Sequence, residues 1–432
     1  MNYYSLKNPK HKVSFQQAVV DGLAPDGGLY MPERLPVLPK EFIASLERKS
    51  KEEIAFTVAR PFVDLSFSDA VLKQIVSETV DFDFPLIEIE ENLYVLELFH
   101  GPTLAFKDVG ARFMARILKH IAQNSKQKIT VLVATSGDTG SAVAHGFFGV
   151  EGIEVVILYP AGKVSALQEK QLATLGRNIH AIKVDGSFDD CQRLVKTAFL
   201  DHDLRQSKFL TSANSINIAR LIPQSFYYFF AAARLKQRNP LVFSVPSGNF
   251  GNLTAGVLAK RMGLPVHAFV ASTNINDVVP HYIQTSEFLP RPSIPTISNA
   301  MDVGNPSNFE RLLELYNHNW ESFAHEIKGY SFSDDETRKA IEEVYTTKRY
   351  VLDPHGAVGY LGLKAYLKNQ TGSTGILLET AHPSKFPEVV ESSIHQKIDL
   401  HPSLQSLQTK PVMSLSCSTD FSDFKNLLFS IK

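Results

Sequence analysis

The sequence predicts an α/β protein with two open, twisted sheets flanked by helices and preceded by a mixed α+β region. Short apolar, β-branched runs alternate with helical segments from about residue 129 onwards, the pattern of parallel strands joined by right-handed crossovers. The same alternation restarts near residue 241, which indicates a second sheet. The 432 residues, 44% of them hydrophobic, can bury two such cores without disulfide or metal support.

The first 95 residues give the least regular signal. Residues 22–30 form a dense cluster of glycine, proline and aspartate that predicts a turn. Residues 86–98 contain strand-like runs broken by glutamate and asparagine, which predicts a hairpin.

The next part of the chain predicts the first sheet. Its strands are expected at residues 129–134, 153–159, 178–184 and 208–212, with helices near 142–148, 164–175 and 190–199 and one long helix over about 216–236. Runs of this kind, apolar on both faces, are typical of parallel strands covered by helices.

The remaining residues predict the second sheet. Strands are expected at 241–245, 266–271 and 375–379, and helices from the Gly/Asn turn to 262 and at about 308–316, 335–347 and 358–368. Residues 285–310, rich in proline, serine and asparagine, are expected to form a loop or inserted segment. The predicted division is a region 1–95, a smaller α/β domain 96–225 and a larger α/β domain 226–432.

Composition restricts the partners. The 44 basic residues balance 45 acidic ones, for a net charge of −1, so the chain lacks the positive excess that non-specific nucleic-acid binding requires. The two cysteines cannot form a disulfide framework, and neither an apolar signal core nor a run of about 18 apolar residues is present. We expect a soluble cytoplasmic protein with no nucleic-acid or membrane partner.

A candidate lysine lies at the start of a predicted helix. Lys107 ends the run H-G-P-T-L-A-F-K and precedes apolar residues spaced four apart, at Val109, Phe113, Ile117 and Ile121. A helix N-terminus disfavours an ammonium and lowers its pKa, and imine chemistry needs a neutral lysine. Read by itself, Lys107 could equally be a solvated surface lysine.

Three turns between a strand and a helix could bind anions. They are A-T-S-G-D-T-G at 134–140, S-A-N-S-I-N-I-A-R at 212–220 and S-G-N-F-G-N at 247–252. Backbone N–H groups, short hydroxyls and Arg220 suit a carboxylate or phosphate. The last turn matches neither the P-loop nor the G-x-G-x-x-G dinucleotide pattern. Each could instead be an ordinary capping or βα turn.

A fifth segment ends the last predicted strand. Thr380, in the run L-E-T-A-H-P-S-K at 378–385, could present its hydroxyl to a site or could simply end the strand. The 14 histidines show no zinc-motif spacing, so no metal is expected. All five segments fall at strand ends, where open α/β folds bind ligands.

The chain closely resembles the threonine synthase family, in its longer bacterial and fungal form, over nearly its whole length. The segments that carry the resemblance are the five above together with G-L-A-P-D-G-G-L-Y at 22–30 and M-D-V-G-N-P-S-N-F-E-R at 301–311. The resemblance implies a fold-type II pyridoxal-phosphate enzyme, similar to the tryptophan synthase β chain.

The resemblance also implies roles for individual residues. Lys107 matches the lysine that holds pyridoxal 5′-phosphate as a Schiff base, and Thr380 the hydroxyl residue at the pyridine nitrogen. The cofactor phosphate loop corresponds to Gly248, Asn249, Phe250, Gly251 and Asn252. Thr135, Ser136, Gly137 and Thr139 correspond to the loop for the substrate α-carboxylate, with Asp138 near the cofactor's 3′-oxygen where many relatives have asparagine. Asn214, Ser215 and Arg220 correspond to the group that binds the substrate phosphate.

The implied reaction converts O-phospho-L-homoserine and water to L-threonine and phosphate, the last step of threonine biosynthesis. It is a lyase reaction, a β,γ-elimination followed by addition of water at Cβ, and Lys107 is the expected base. We expect a monomer or homodimer.

Three alternatives remain at this stage. Another fold-type II enzyme, such as an amino-acid dehydratase or a cysteine-synthase-like enzyme, would not need the phosphate-binding segments. A non-catalytic ligand-binding relative would not need Lys107, and an NAD-linked Rossmann enzyme would need the missing glycine fingerprint.

Overall fold

A computed structural model of the chain describes residues 1–123, 128–135, 137–235, 239–370 and 372–431. Ser136, one of the predicted carboxylate-loop residues, lies outside the described residues. The strands are β1 Asn2–Ser5, β2 Lys12–Ser14, β3 Tyr30–Pro32, β4 Leu86–Glu90, β5 Leu93–Glu97, β6 Ile129–Ala134, β7 Ile153–Pro160, β8 Ile179–Val184, β9 Phe209–Ser212, β10 Leu241–Pro246, β11 Val266–Thr273, β12 Ile327–Ser331, β13 Thr374–Glu379 and β14 Ser414–Cys417.

The helices connect and cover these strands. They are α1 Phe15–Asp21, α2 Lys40–Ala44, α3 Lys51–Ala59, α4 Asp69–Thr79, α5 Lys107–Ala122, α6 Asp138–Phe147, α7 Ala166–Ala173, α8 Phe188–Leu200, α9 His202–Ser207, α10 Ile218–Leu221, α11 Phe226–Arg234, α12 Gly251–Arg261, α13 Val278–Thr285, α14 Phe309–Leu315, α15 Trp320–Glu326, α16 Asp334–Lys348, α17 Pro354–Leu367, α18 Pro387–Ile394, α19 Pro402–Gln405 and α20 Phe421–Ser430. Short 3₁₀ turns lie at Leu46–Arg48, Ile222–Ser225, Asn299–Met301 and Pro383–Lys385.

Two large sheets form the framework, as predicted. One has six strands in the order β12-β11-β10-β13-β5-β4, all parallel except the β4–β5 hairpin. The other has five parallel strands in the order β14-β8-β7-β6-β9. A small antiparallel sheet, β2-β1-β3, belongs to the N-terminal region.

The central strands follow directly from their sequences. Every residue of β6, β10 and β13 is buried. Strands covered by helices on both faces need apolar side chains at successive positions, which explains why these runs are continuous rather than alternating. Helix α5 shows the complementary pattern, because its ladder Val109, Phe113, Ile117 and Ile121 is buried against the neighbouring helices α4, α6 and α10.

Sheet membership does not follow the predicted division at residues 95 and 225. The β4–β5 hairpin joins the six-stranded sheet through β13, and β14 from the C-terminal part joins the five-stranded sheet by pairing with β8. The backbone N–H and C=O groups at a sheet edge need partners, and a strand that is distant in the chain can supply them.

The long helix predicted over residues 216–236 is wrong. The chain forms α10, a 3₁₀ turn at Ile222–Ser225 and then α11. Pro223 has no backbone N–H to donate and its ring crowds the preceding turn, so a continuous α-helix cannot pass through it. None of the helices in the described ranges has the length and apolar character to cross a membrane.

Candidate active site

The candidate lysine lies where α5 meets the end of β13. The backbone N–H of Phe106 donates to the carbonyl of Thr380 (2.9 Å), and Ala105 forms a bridge with Ala381. The Tyr227 hydroxyl donates to the Phe106 carbonyl. These bonds hold Lys107, the first residue of α5, beside Thr380, so the structure brings together two residues predicted from separate segments.

The surroundings of Lys107 favour a neutral amine. Burial lowers its pKa, the nearby cations of Lys385 and Arg220 lower it further, and the carboxylate of Asp138 opposes them. A lowered pKa makes the neutral form of a lysine, which is the nucleophile and the base, easier to reach. The pKa direction therefore agrees with the chemistry predicted for this position.

Asp138 is the first residue of α6 and lies close enough to Lys107 to affect its pKa. Its carboxylate forms an ion pair with Lys385 (Oδ1 to Nζ, 2.7 Å) and accepts from Gln168 Nε2 (3.4 Å). Burial alone would raise its pKa, but Lys385 and Lys107 reverse that effect and hold the pKa well below its usual range. Asp138 is therefore an anion that accepts hydrogen bonds and has no proton to donate.

The carboxylate loop is held by its own first residue. The Thr135 hydroxyl accepts from the backbone N–H groups of Gly137 (3.0 Å) and Gly140 (2.9 Å), so it closes the turn before α6. Gly137 has φ +149°, and a Cβ there would lie 2.5 Å from Gln168 Nε2. Thr139 lies half-buried in the first turn of the helix, where backbone N–H groups can receive an anion.

The second loop has the features of a phosphate cradle. Phe250 adopts a left-handed conformation (φ +59°) and Gly251 then begins α12. A Cβ on Gly248 would lie 2.7 Å from the Cα of Met301, so only glycine fits there. This left-handed residue before a helix N-terminus makes successive N–H groups converge, which suits an anion.

Two buried amides beside this loop have unused donors. Asn252 accepts from Tyr228 through its oxygen (3.0 Å), while its Nδ2 has no hydrogen-bond partner among the described residues. Asn308 Nδ2 is also buried without a partner there and lies 3.4 Å from the position of a Cβ on Gly251. A buried donor without a partner is costly, so a phosphate in the cradle would satisfy both amides.

The loop at 212–217 contacts the phosphate cradle. The Asn249 side chain donates to the hydroxyl of Ser215 (2.5 Å) and accepts from the backbone N–H of Ser307 (2.5 Å). Asn214 lies half-buried in the same turn. The structure therefore brings the predicted substrate-phosphate residues next to the predicted cofactor-phosphate residues.

Arg220 is a buried cation on α10. Its Nη1 donates to the Ala213 carbonyl, while Nε has no partner, and within the described ranges no carboxylate lies in ion-pair distance. Burial lowers its pKa to about 10. Gly110 makes room for it, because a Cβ there would lie 3.0 Å from the Arg220 carbonyl oxygen and 3.1 Å from Nε. The glycine inside α5 thus permits a close approach of α10.

Sequence reasoning missed Arg311 as an organising residue. Its fully buried guanidinium donates to the carbonyls of Tyr30 (3.0 Å) and Ile216 (2.7 Å) and to the side chain of Asn308 (2.8 Å). It therefore joins three of the resemblance-bearing segments. The only available signal was its place at the end of the 301–311 motif.

A network of titratable groups behind Thr380 was also missed. Glu379 accepts from the backbone of Asp353 (2.7 Å), and Asp353 accepts from Nδ1 of His355 (2.6 Å). Nε2 of His355 in turn accepts from Ala300 (3.2 Å), next to the residue that packs on Gly248. Burial and the charge of Asp353 raise the pKa of Glu379 well above its usual value.

The residues fit pyridoxal phosphate. The phosphate cradle with its unused buried donors follows β10, and Thr380 follows the neighbouring parallel strand β13, so both lie at the carboxyl edge of one sheet. Phe106, which precedes the lysine of lowered pKa, is hydrogen-bonded to Thr380. Nothing in the described part of the chain groups three or more potential metal ligands.

Comparisons with known proteins show the family of the chain. The family described as "Pyridoxal-phosphate dependent enzyme" matches residues 82–378, and models of the N terminus and the C-terminal part of threonine synthase match 2–80 and 356–427. Threonine synthase of Haemophilus influenzae is 46% identical over 431 residues, covering 99% of each chain.

Solved structures give the same result. The crystal structure of threonine synthase from Escherichia coli is 43% identical, covers 100% of both chains and has a TM-score of 0.93. The structure of threonine synthase with bound pyridoxal phosphate from Brucella melitensis is 34% identical, covers 100% of this chain and 99% of that chain, and also has a TM-score of 0.93.

Proposed function

Because the chain belongs to the threonine synthase family of pyridoxal-phosphate-dependent enzymes, we propose that it converts O-phospho-L-homoserine and water to L-threonine and phosphate, through the residues described above. The protein is a lyase with the fold-type II architecture and acts on a small molecule. The geometry of the site supports the roles that individual residues are given below.

One observation carries that assignment. Arg220 is a buried cation with an unsatisfied Nε and no ion-paired carboxylate among the described residues, and it lies near enough to Lys107 to lower the lysine's pKa. A buried charge without a partner is unfavourable. A substrate with a phosphate close to its reacting carbons supplies the missing anion, which phosphohomoserine does and serine or threonine do not.

Two groups of residues bind and orient the substrate. Gly137, Thr139 and the N-terminus of α6 receive the α-carboxylate, and the Thr135 hydroxyl holds the loop. The family resemblance assigns Ser136 to the same carboxylate. Arg220, Asn214 and Ser215 bind the γ-phosphate. Fixing both ends of the substrate in this way sets the reacting carbons against Lys107.

A third group of residues would hold the cofactor. Gly248, Asn249, Phe250, Gly251 and Asn252 hold its phosphate, and Thr380 offers a hydroxyl to its ring. Bound pyridoxal phosphate supplies an electron sink that makes the hydrogen on the substrate α-carbon acidic.

Lys107 moves the protons. Its amine, whose pKa is lowered by burial and by two nearby cations, accepts the α-proton at Nζ, gives that proton up and then accepts a β-proton; in the product one proton is returned to Cα and one goes to Cγ. Arg220 stabilises the charge that builds up on the departing phosphate. Water then adds at Cβ.

The test is a product assay with purified protein, cofactor and phosphohomoserine. We expect phosphate and threonine in equal amounts, and neither product from Lys107→Ala. Deamination of serine or threonine without phosphate release would instead favour an amino-acid dehydratase.

We also propose that the protein works in the cytoplasm as a monomer or homodimer. Its two cysteines, Cys191 and Cys417, are free and buried, as suits a reducing compartment. Light scattering of the purified protein would reveal any larger assembly.

A further inference from the structure

Lys385 is almost fully buried next to the candidate lysine. Its side chain is 1% exposed, and its ammonium donates to Asp138 Oδ1 (2.7 Å) and to the Thr103 carbonyl (3.0 Å). It lies in a 3₁₀ turn that begins after His382, whose ring caps the turn by accepting from Ser384 (3.1 Å). A buried lysine held by two acceptors and a capped turn has a fixed position.

Asp138 faces two lysines but is ion-paired with only one of them. The carboxylate bonds directly to Lys385, while the salt bridges of the described residues include none to Lys107. In a desolvated site a carboxylate beside a free ammonium would form an ion pair and keep that lysine protonated. Lys385 occupies the carboxylate and so prevents this.

We propose that Lys385 is a positioning residue that engages the Asp138 carboxylate and thereby leaves the Lys107 amine free to react. The inference rests on the proposed role of Lys107 and concerns how the site keeps it reactive. The fall in the Lys107 pKa caused by Lys385 and its rise caused by Asp138 are in the directions that this arrangement requires.

The other charged and titratable groups near the pair do not replace Lys385. Those that act electrostatically on Lys107, Asp138 or the neighbouring Asp108 are Arg220 on α10, His355 on α17, and Arg112 on α5. Asp108 itself accepts from the backbone N–H of Thr103 (2.9 Å) and from its hydroxyl (2.6 Å), and burial raises its pKa to about 6. None of these groups is bonded to Asp138 in place of Lys385.

The experiment measures how fast the full-length chain, freed of cofactor, becomes yellow after pyridoxal phosphate is added, as a function of pH. Ionisation of the free cofactor is common to all variants, so a difference in the half-maximal pH reports on Lys107. Lys385→Met should raise that pH by about one unit or more, because Asp138 is then left to Lys107. Asp138→Asn should lower it by about the same amount.

The double variant Asp138→Asn/Lys385→Met should return close to the wild-type value, because one positive and one negative charge are removed together. Lys425→Met is the matched control. It removes a lysine of α20 that is ion-paired with Asp201 (2.9 Å) and Asp203 (2.7 Å), and it should leave the half-maximal pH unchanged. A pair that only braces the fold would weaken the variants without moving the half-maximal pH in opposite directions.

An unchanged or lower half-maximal pH in Lys385→Met would overturn the inference. Should that variant not fold, Asp138→Asn decides, and an unchanged or higher value overturns it. Failure of the proposed function looks different: wild type would not turn yellow, or Lys107→Ala would do so equally well.

Discussion

Arg220 shows how one residue joins fold and chemistry. It is buried between α5 and the 212–217 loop, uses Nη1 to hold the Ala213 carbonyl, and leaves Nε without a partner. Burying a guanidinium in this place costs free energy. Among the described residues, no carboxylate lies within ion-pair distance of Arg220 to offset that cost. Such a residue is explained by an anion that arrives with the substrate.

Arg220→Gln tests this at the residue scale. Losing the positive charge opposite a bound phosphate should lower kcat/KM for phosphohomoserine by about 10²-fold or more. Cofactor affinity should hardly change, because the hydrogen bond of the Arg220 side chain goes to the Ala213 carbonyl and not to residues 248–252. Steady-state kinetics and a cofactor titration measure the two effects, and a loss confined to cofactor affinity would contradict the assignment.

The sequence predicted these site residues but not their supports. Lys107, Arg220 and Thr380 stand in short motifs at strand ends, so their position along the chain already indicates their place in the fold. Lys385 and Arg311 act on residues far away in the sequence, such as Asp138 and Tyr30. Only the tertiary structure reveals such pairs, because no local spacing links them.

At the element scale, the site depends on loops that pack against each other. The phosphate loop is pressed against the 3₁₀ turn Asn299–Met301, and that turn is held by His355. We therefore expect cofactor binding to depend on a segment that the sequence predicted as a loop or inserted segment within residues 285–310.

Gly248→Ala tests this dependence. The added methyl would meet the Met301 backbone at 2.7 Å and displace the cradle, so we expect cofactor affinity to fall by about tenfold or more, given the ~1–3 kcal/mol typical of overpacking. Fluorescence titration with pyridoxal phosphate measures the affinity. Unchanged affinity in a normally folded variant would show that the loop is not the cradle.

The strands differ in how well the sequence revealed them. Buried strands such as β6 and β13 are apolar throughout and were predicted nearly to the residue. The edge strands β12 and β14 were missed, because Ile327–Ser331 and Ser414–Cys417 are largely polar and only partly buried. An edge strand is specified by its neighbour's free hydrogen bonds more than by its own composition.

At the scale of the whole molecule, distant parts of the chain complete each layer. Arg311 ties the N-terminal turn to the 212–217 loop, and β14 closes the edge of a sheet built from residues 129–212. The predicted two-sheet architecture is confirmed. The order of the strands within each sheet could not be read from the composition.

The buried Glu379 should make the free energy of unfolding depend on pH. Burial first, and then the charge of Asp353, raises its pKa, so the folded protein holds a proton that the unfolded chain releases. Its favourable contribution is complete below the ordinary carboxyl pKa of about 4.3 and is lost as pH rises towards the raised value.

Glu379→Gln mimics the protonated side chain. Above pH of about 4.3, the wild-type free energy of unfolding should fall relative to the variant by up to about 1.4 kcal/mol per pH unit. Urea unfolding of both cofactor-free proteins at two pH values measures this difference. Parallel pH profiles would contradict the raised pKa.

The most direct test of the central claim is the reaction with phosphohomoserine in water enriched in oxygen-18. Elimination breaks the carbon–oxygen bond and water then adds at Cβ, so the label should appear in the threonine hydroxyl and the released phosphate should carry none. Label in the phosphate, with homoserine as the other product, would show simple phosphoester hydrolysis and contradict the account.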